Sequence, residues 1–174
     1  MAPINPGLTL ISAAVSMLNK LAPTQVELES LPGHNIRRLH QIAVAMFMQE
    51  TQAHGLTPVQ YAALHAVCAA PGIDQRTLAR VIGFDTSTIG GVIDRLEARG
   101  LLQRNASATD RRVRLLTPTA DGEMRHAAIT PAMLQAQQRM LEPLKRSERA
   151  EFMRMLRVLV TADNEVGRAP SETN

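Results

Sequence analysis

The sequence predicts a mainly α-helical protein with a small β-hairpin, joined as a homodimer through helices contributed by both ends of the chain. Three observations predict it. Two short amphipathic segments between Ile73 and Gly100 are separated by a tight turn. Two strand-like segments rich in arginine follow directly, up to Leu116. Helical periodicity then resumes on both flanks, with apolar stripes that a chain of 174 residues leaves short of partners.

The central unit is the most informative. Asp74 is placed to cap a helix with Leu78, Ala79 and Ile82 on one face, because its carboxylate accepts an orphan backbone N–H. Gly83 is a natural stop. Asp85 or Thr86 can cap a second helix, in which Ile89, Val92, Ile93 and Leu96 recur at i, i+3, i+4 and i+7; Gly100 ends it. A turn of about three or four residues between two such helices is helix-turn-helix spacing. The opposite face of the second helix carries Thr86, Ser87, Thr88, Gly90, Gly91, Asp94 and Arg95. Small hydroxyl groups near a helix N-terminus suit phosphates and base edges. Two glycines inside a helix cost roughly 1 kcal/mol each against alanine, so something comes close to the backbone. A DNA strand and a neighbouring helix are both candidates.

Residues 101–104 and 112–116 are strand candidates around the turn-forming stretch NASATD. Arg104, Arg111, Arg112 and Arg114 stand there against one acid, Asp110. A β-ribbon with arginine at its tip suits a minor groove, where the potential is most negative. Residues 57–117 therefore read as a winged helix-turn-helix that binds double-stranded DNA, with Thr86, Ser87, Thr88, Gly91, Arg95, Arg104, Asp110, Arg111 and Arg112 as its candidate contacts.

The flanks follow in order. Residues 1–32 read as an N-terminal arm with a helix over 8–21 that packs across the dimer or stays disordered, then a linker over 23–32. A helix is expected over 35–51, with Ile36, Leu39, Ala43, Met46 and Phe47 as its apolar stripe, His40 inside that stripe, and Arg37 and Arg38 beside it. Thr57, Pro58 and Gln60 spell a capping box with proline at the first helical position. The helix they open is apolar on two sides and should be buried: Val59, Ala62, Ala63, Ala66 and Val67 on one, Tyr61, Leu64, His65 and Cys68 on the other. Thr117–Pro118 repeats the cap-then-proline signal, a helix should run over 119–141 with a bend at Pro131, and Ser147 should cap a last helix striped by Phe152, Met155, Leu156, Leu159 and Val160. Residues 33–56 and 118–165 read as the dimerisation region and 166–174 as a flexible tail. A two-fold dimer would present its two reading helices roughly 34 Å apart, one DNA turn.

Composition narrows the function classes. Hydrophobic residues make up 45%, which fits a packed core. Aromatic residues are 2% with no Trp, which argues against stacking on single-stranded nucleic acid. The net charge of +3 favours a polyanionic partner. One cysteine, Cys68, excludes an internal disulfide and suits a reducing cytoplasm. No apolar run approaches membrane-spanning length, and no basic residue precedes the apolar stretch LTLISAAVSML, so neither a span nor a secretory signal is expected. No HExxH pair and no Gly-rich phosphate loop appears, so the expectation is no enzyme, no catalytic residue, no metal and no cofactor.

Polar groups on helix faces that read as buried need partners. His40, Tyr61 and His65 are such groups, Arg37 and Arg38 lie next door, and Arg38, His40, Tyr61 and His65 form a candidate ligand site. A guanidinium matches carboxylate geometry, so an aromatic carboxylate is the ligand class; the alternative is that these are satisfied core or interface residues. Cys68 offers a redox-responsive alternative, although no Lys or Arg lies near it in sequence to lower its pKa, and a small core residue is the plainer reading. An architectural DNA binder without effector is a further alternative.

The stretches LTPVQYAALHAV, TLARVIGFDTSTIGGVIDRLEARGLLQR and TDRRVRLLTPTADGE resemble the MarR family of winged-helix regulators, over about residues 34–163. The resemblance implies a homodimer on pseudo-palindromic DNA, released by a small ligand, with repression as the usual mode. It also implies that the helix over 86–95 lies in the major groove, that Arg111 or Arg112 reaches the minor groove, and that Asp110 orients an arginine such as Arg95. The Gly90–Gly91 pair is less usual for the family. PGHNIRRLHQIAVAMFMQE together with LTPVQYAALHA is similar to the branch that represses nicotinate-degradation genes, which implies an inducer of the 6-hydroxynicotinate type.

Overall fold

The computed structural model describes residues 27–107 and 113–162. The expected helix over 8–21, the tail over 166–174, and Asp110, Arg111 and Arg112 lie outside the described residues. The chain divides into two units, residues 1–39 and 40–174.

In the first unit a single 3-10 turn, Leu28–Ser30, precedes helix α1 (Pro32–Glu50), which continues into the second unit. The Asn35 amide donates to the Glu29 carbonyl at 2.7 Å and ties turn to helix. The helix begins three residues earlier than its periodicity suggested. Pro32 can open it because the first-turn N–H groups have no intrahelical partner anyway.

The second unit continues with α2 (Pro58–Ala69), β1 (Ile73–Asp74), α3 (Gln75–Ile82), α4 (Thr86–Ala98), β2 (Leu102–Ala106), β3 (Arg114–Pro118), α5 (Ala120–Leu141) and α6 (Arg146–Ala162). The caps follow the side chains. Gln60 N–H donates to Thr57 Oγ1 at 3.3 Å and Thr57 N–H to Gln60 Oε1 at 3.0 Å, a closed capping box. Asp74 accepts from Thr77 N–H at 3.0 Å and from its hydroxyl at 2.7 Å. Gly83 ends α3 with φ 72°, the left-handed region. These helices pack α2 at the centre. Its Tyr61, Ala63, Leu64 and Val67 meet Leu78 and Ala79 of α3, the buried stripe Ile89, Val92, Ile93 and Leu96 of α4, Leu102 and Leu116 of the strands, and Ile129 of α5 in one core.

The sheet has three antiparallel strands in the order β1-β3-β2. Ile73 pairs with Leu116, and Leu102 to Ala106 pair with Pro118 to Arg114. Strand β1 was not expected, because Asp74 was read only as a helix cap; it serves both elements. The two hairpin strands also run two residues further than the expected ends at 104 and 116. Thr117 and Pro118 are therefore strand residues, and Thr119 caps α5 by accepting from Gly122 N–H at 3.0 Å. Pro131 lies within one helix, Ala120–Leu141, as the expected span over 119–141 has it. Ser147 sits inside the first turn of α6, which starts at Arg146; there Glu148 accepts from Lys145 N–H at 2.8 Å.

Helix α6 buries none of its residues in the protomer, and Met155, Val158, Leu159 and Val160 are all exposed. Among the described residues no helix is long and apolar enough to cross a membrane.

Helix α5 lies against the root of the wing with no room for a side chain at Gly122. A Cβ built on Gly122 would lie 1.9 Å from the Leu101 carbonyl oxygen. Gly122→Ala must push helix and wing apart, and overpacking of this kind costs about 1–3 kcal/mol. Urea unfolding should show a loss of that order, with the melting temperature lower by several degrees.

Candidate functional site

The exposed N-terminal turn of α4 is built around Asp85, which rather than Thr86 supplies the cap. Its carboxylate accepts from Thr88 N–H at 2.7 Å, from the Thr88 hydroxyl at 2.6 Å and from the Ser87 hydroxyl at 2.5 Å. The Ser87 and Thr88 hydrogen bonds hold the Asp85 carboxyl well below the usual carboxylate range. Both hydroxyl protons are thus committed to the cap. As placed, Ser87 and Thr88 present hydroxyl lone pairs to the outside. Thr86, in the first turn, and Arg95, in the last, are both exposed.

The two glycines have different surroundings. The side chain of Gln75, at the start of α3, crosses Gly90 and donates to the Thr86 carbonyl at 3.0 Å. A Cβ on Gly90 would stand 3.3 Å from that amide nitrogen. Gly90 therefore serves a close approach from the neighbouring helix. A Cβ on Gly91 would meet only the Arg95 guanidinium, at an ordinary 3.7 Å. Nothing within the protomer requires a glycine there. Gln75 is a positioning residue that the sequence reading passed over; its one signal was its place directly after the capping Asp74.

The wing is tethered to α4 by Arg104. Its guanidinium bonds both Asp94 and Glu97, and its backbone N–H donates to Glu97 Oε1 at 3.2 Å. This arginine was expected among the DNA contacts. In the structure it faces α4 and ties the hairpin to that helix. Arg114 is exposed on β3, while Arg99 donates to the Gly55 carbonyl at 2.6 Å and holds the loop before α2.

A second constellation lies between α2 and α5. Tyr61 is buried, and its hydroxyl is 3.1 Å from Thr130 Oγ1. The Thr130 proton goes to the His126 carbonyl at 2.8 Å, so Tyr61 is the donor in that pair. The Tyr61 ring stacks against His65 and His126, with centroids 6.0 and 5.6 Å away, and meets Phe47 at 5.8 Å. His65 Nδ1 and His126 Nε2 are 2.8 Å apart. Burial and the charge of His65 both push the His126 pKa down. Of the expected ligand residues, Tyr61 and His65 come together here. His40 does not lie in a buried stripe: it is exposed, and only Phe47 of α1 is fully buried. Arg38 is exposed on the first unit. His126 and Thr130 were missed, although their i, i+4 spacing in α5 put them on one face.

The facing residues form a ladder of constant register, Tyr61 opposite Thr130 and His65 opposite His126. One turn further on, Cys68 feels the charge of Glu123. Burial, then that charge, pushes the Cys68 thiol up, away from the reactive thiolate. A separate cleft of about 420 Å³ runs along the later turns of α5, lined by Pro131, Leu134, Gln135, Gln138, Arg139 and Glu142. One helix and its cap provide all of that lining, so it is an open groove rather than a ligand pocket. Among the described residues no three His, Cys, Asp or Glu side chains are placed to hold a metal ion.

A family model described as MarR family matches residues 54–113, from the approach to α2 into the wing. The chain is also similar to the PcaV transcriptional regulator of Streptomyces coelicolor, solved with its natural ligand. The TM-score is 0.73 and the identity 35%, covering 80% of this chain and 99% of that one. The chain belongs to the MarR family. With that membership it is a DNA-binding regulator of transcription. This MarR-family chain is further similar to the transcriptional repressor NicR of Pseudomonas putida, 28% identical over 158 residues, 87% of this chain and the whole of that protein. It is also similar to the solved structure of Bordetella bronchiseptica BpsR, described by the regulation of its DNA binding by 6-hydroxynicotinic acid. There the TM-score is 0.74 and the identity 30%, covering 80% of this chain and 98% of that one.

Since no protomer contact needs a glycine at position 91, Gly91→Ala separates stability from DNA binding. Alanine in a helix interior is better by about 1 kcal/mol. The variant should melt higher than the parent in a thermal scan, yet bind operator DNA several-fold more weakly by fluorescence polarisation.

Proposed function

We propose that this chain is a ligand-responsive transcriptional repressor. It acts as a homodimer, binds pseudo-palindromic double-stranded DNA, and is released by a small aromatic carboxylate such as 6-hydroxynicotinate. The observation that carries the reading is the exposed turn of α4, capped by Asp85, pinned by Gln75 and tied to the wing by Arg104. Thr86, Gly91 and Arg95 would face the major groove, with the oxygens of Ser87 and Thr88 beside them. Arg111 or Arg112 would enter the minor groove, with Asp110 orienting Arg95, and Arg104 would set the wing angle. The repressor mode and the effector class are supported by the likeness to NicR and BpsR.

The homodimer is supported by the apolar residues that α6 leaves exposed in the protomer. Residues 33–56 and 118–165 would form the joint, residues 57–117 the reading head, and residues 1–32 and 166–174 an arm and a tail. The ring cluster around Tyr61 and His65 would take the effector's ring. Binding there would change the spacing of the two reading helices, and the effector can act only through its different affinities for the two spacings. The raised Cys68 thiol gives the redox alternative no support.

A fluorescence-polarisation titration against the promoter DNA adjoining the protein's own gene, with and without 6-hydroxynicotinate, tests this directly. Tight binding that the ligand abolishes is the expected result; binding no better than to random DNA at moderate salt would sink the repressor reading. Arg112→Ala should weaken binding and lower the salt slope by about one. Arg38→Ala is expected to spare DNA binding and blunt release by the ligand; normal release would remove Arg38 from the effector residues.

A further inference from the structure

Two imidazoles from two different helices meet nitrogen to nitrogen at 2.8 Å, His65 from α2 and His126 from α5. Such a contact holds a single hydrogen, because one neutral ring donates its N–H while the other accepts with a lone pair. One added proton turns the pair into a cation. A second would place two positive charges in the same contact and break it. The pair is open to solvent on one side, since His65 is exposed and His126 half-buried.

The surroundings favour an aromatic ligand. The chain has one Tyr, three Phe and five His. The cluster gathers the Tyr, one Phe and two of the His within ring-contact distances of 5.1–6.0 Å. In an aromatic-poor protein that concentration offers stacking surface beside a group that can become positive. Among the described residues the neighbours that face the pair supply no positive charge, and Glu123, one turn away, is an acid. From α2 these are Tyr61, stacked on both rings, and Cys68 one turn on; from α5 they are Thr130 and Glu123; from α1 it is Phe47, through Tyr61. Arg125 adjoins His126 in sequence and is exposed.

We propose that the His65–His126 pair receives an anionic oxygen of the effector and takes up one proton as it does so, which makes His126 an effector-contacting residue. The inference rests on the effector reading above and assigns that site its charge and its pH dependence. Burial and His65 hold the His126 pKa below its ordinary value in the free protein. A bound anion favours the cation and raises the pair's proton affinity. Binding must therefore strengthen as pH falls toward the free pair's pKa, by up to about tenfold per pH unit. A carboxylate effector is already ionised throughout that range and adds no slope of its own.

Isothermal titration of the full-length protein with 6-hydroxynicotinate, near pH 7 in HEPES and again in Tris, reads proton uptake directly. The two buffers release protons with different heats. The expected result is a binding heat that differs between them by the equivalent of about one proton, with affinity several-fold higher near pH 6.5 than near pH 7.5. His126→Gln keeps an amide that can bond the His65 ring and cannot take the proton, so the buffer difference should vanish and the pH profile flatten. Tight binding with equal heat in both buffers would overturn the proton-linked pair and leave the effector reading standing. No heat in either buffer, nor with benzoate or 3,4-dihydroxybenzoate, would overturn the effector reading and this inference with it. The buffer comparison on the unaltered protein decides the matter even if His126→Gln fails to fold.

Discussion

The approach of Gly122 to the Leu101 carbonyl fixes most of what matters here. A helix that lies backbone-to-backbone on the root of a hairpin has no side chain to cushion it, so its position along and around its axis is set there. One turn on from Gly122 comes His126, and a further turn on comes Thr130. These residues face His65 and Tyr61 because the first turn of α5 cannot slide. Ile129, on the adjoining strip, is driven fully into the core. The wing is fixed from the same place, since Leu101 leads directly into β2. Ring cluster and hairpin thus share one reference point.

From the wing the constraint passes to the reading helix. Arg104 on β2 grips Asp94 and Glu97, which lie three residues apart on one side of α4. A planar guanidinium between two carboxylates resists rotation better than a lysine in the same place would. Its partners are partly exposed, so this is geometry more than stability. On the far end of α4, Gln75 holds the first carbonyl. The helix is therefore held at both ends, while the face between them is left uncovered.

Most of this architecture was legible in the sequence, and the reasons are local. The stripe Ile89, Val92, Ile93 and Leu96, the capping box at Thr57 and the stop at Gly83 each follow from a few neighbouring residues, and each was found where expected. What escaped was non-local or ambiguous. A two-residue strand has no period of its own, and β1 exists only because β3 lies beside it. Thr117–Pro118 and Thr119 carry nearly the same cap signal, and strand pairing decided between them. His40 shares its helix's apolar period, yet that part of α1 is uncovered in the protomer. His126 was invisible because its significance lies in a partner on another helix. The reading face was legible as a set of residues but not as a set of hydrogen bonds, since Asp85 had several hydroxyl groups within reach.

The helix that buries nothing has a consequence for how the molecule is made. Among the described residues, every fully buried position of the core precedes α6 in the chain. A chain synthesised from its N-terminus can therefore close the winged unit while α6 is still being added, with no contact from that helix needed. The winged unit comes first in the chain, and the apolar residues that α6 leaves exposed come after it. A chain altered only in α6 would then keep every core contact among the described residues and lose the exposed apolar residues that this helix carries.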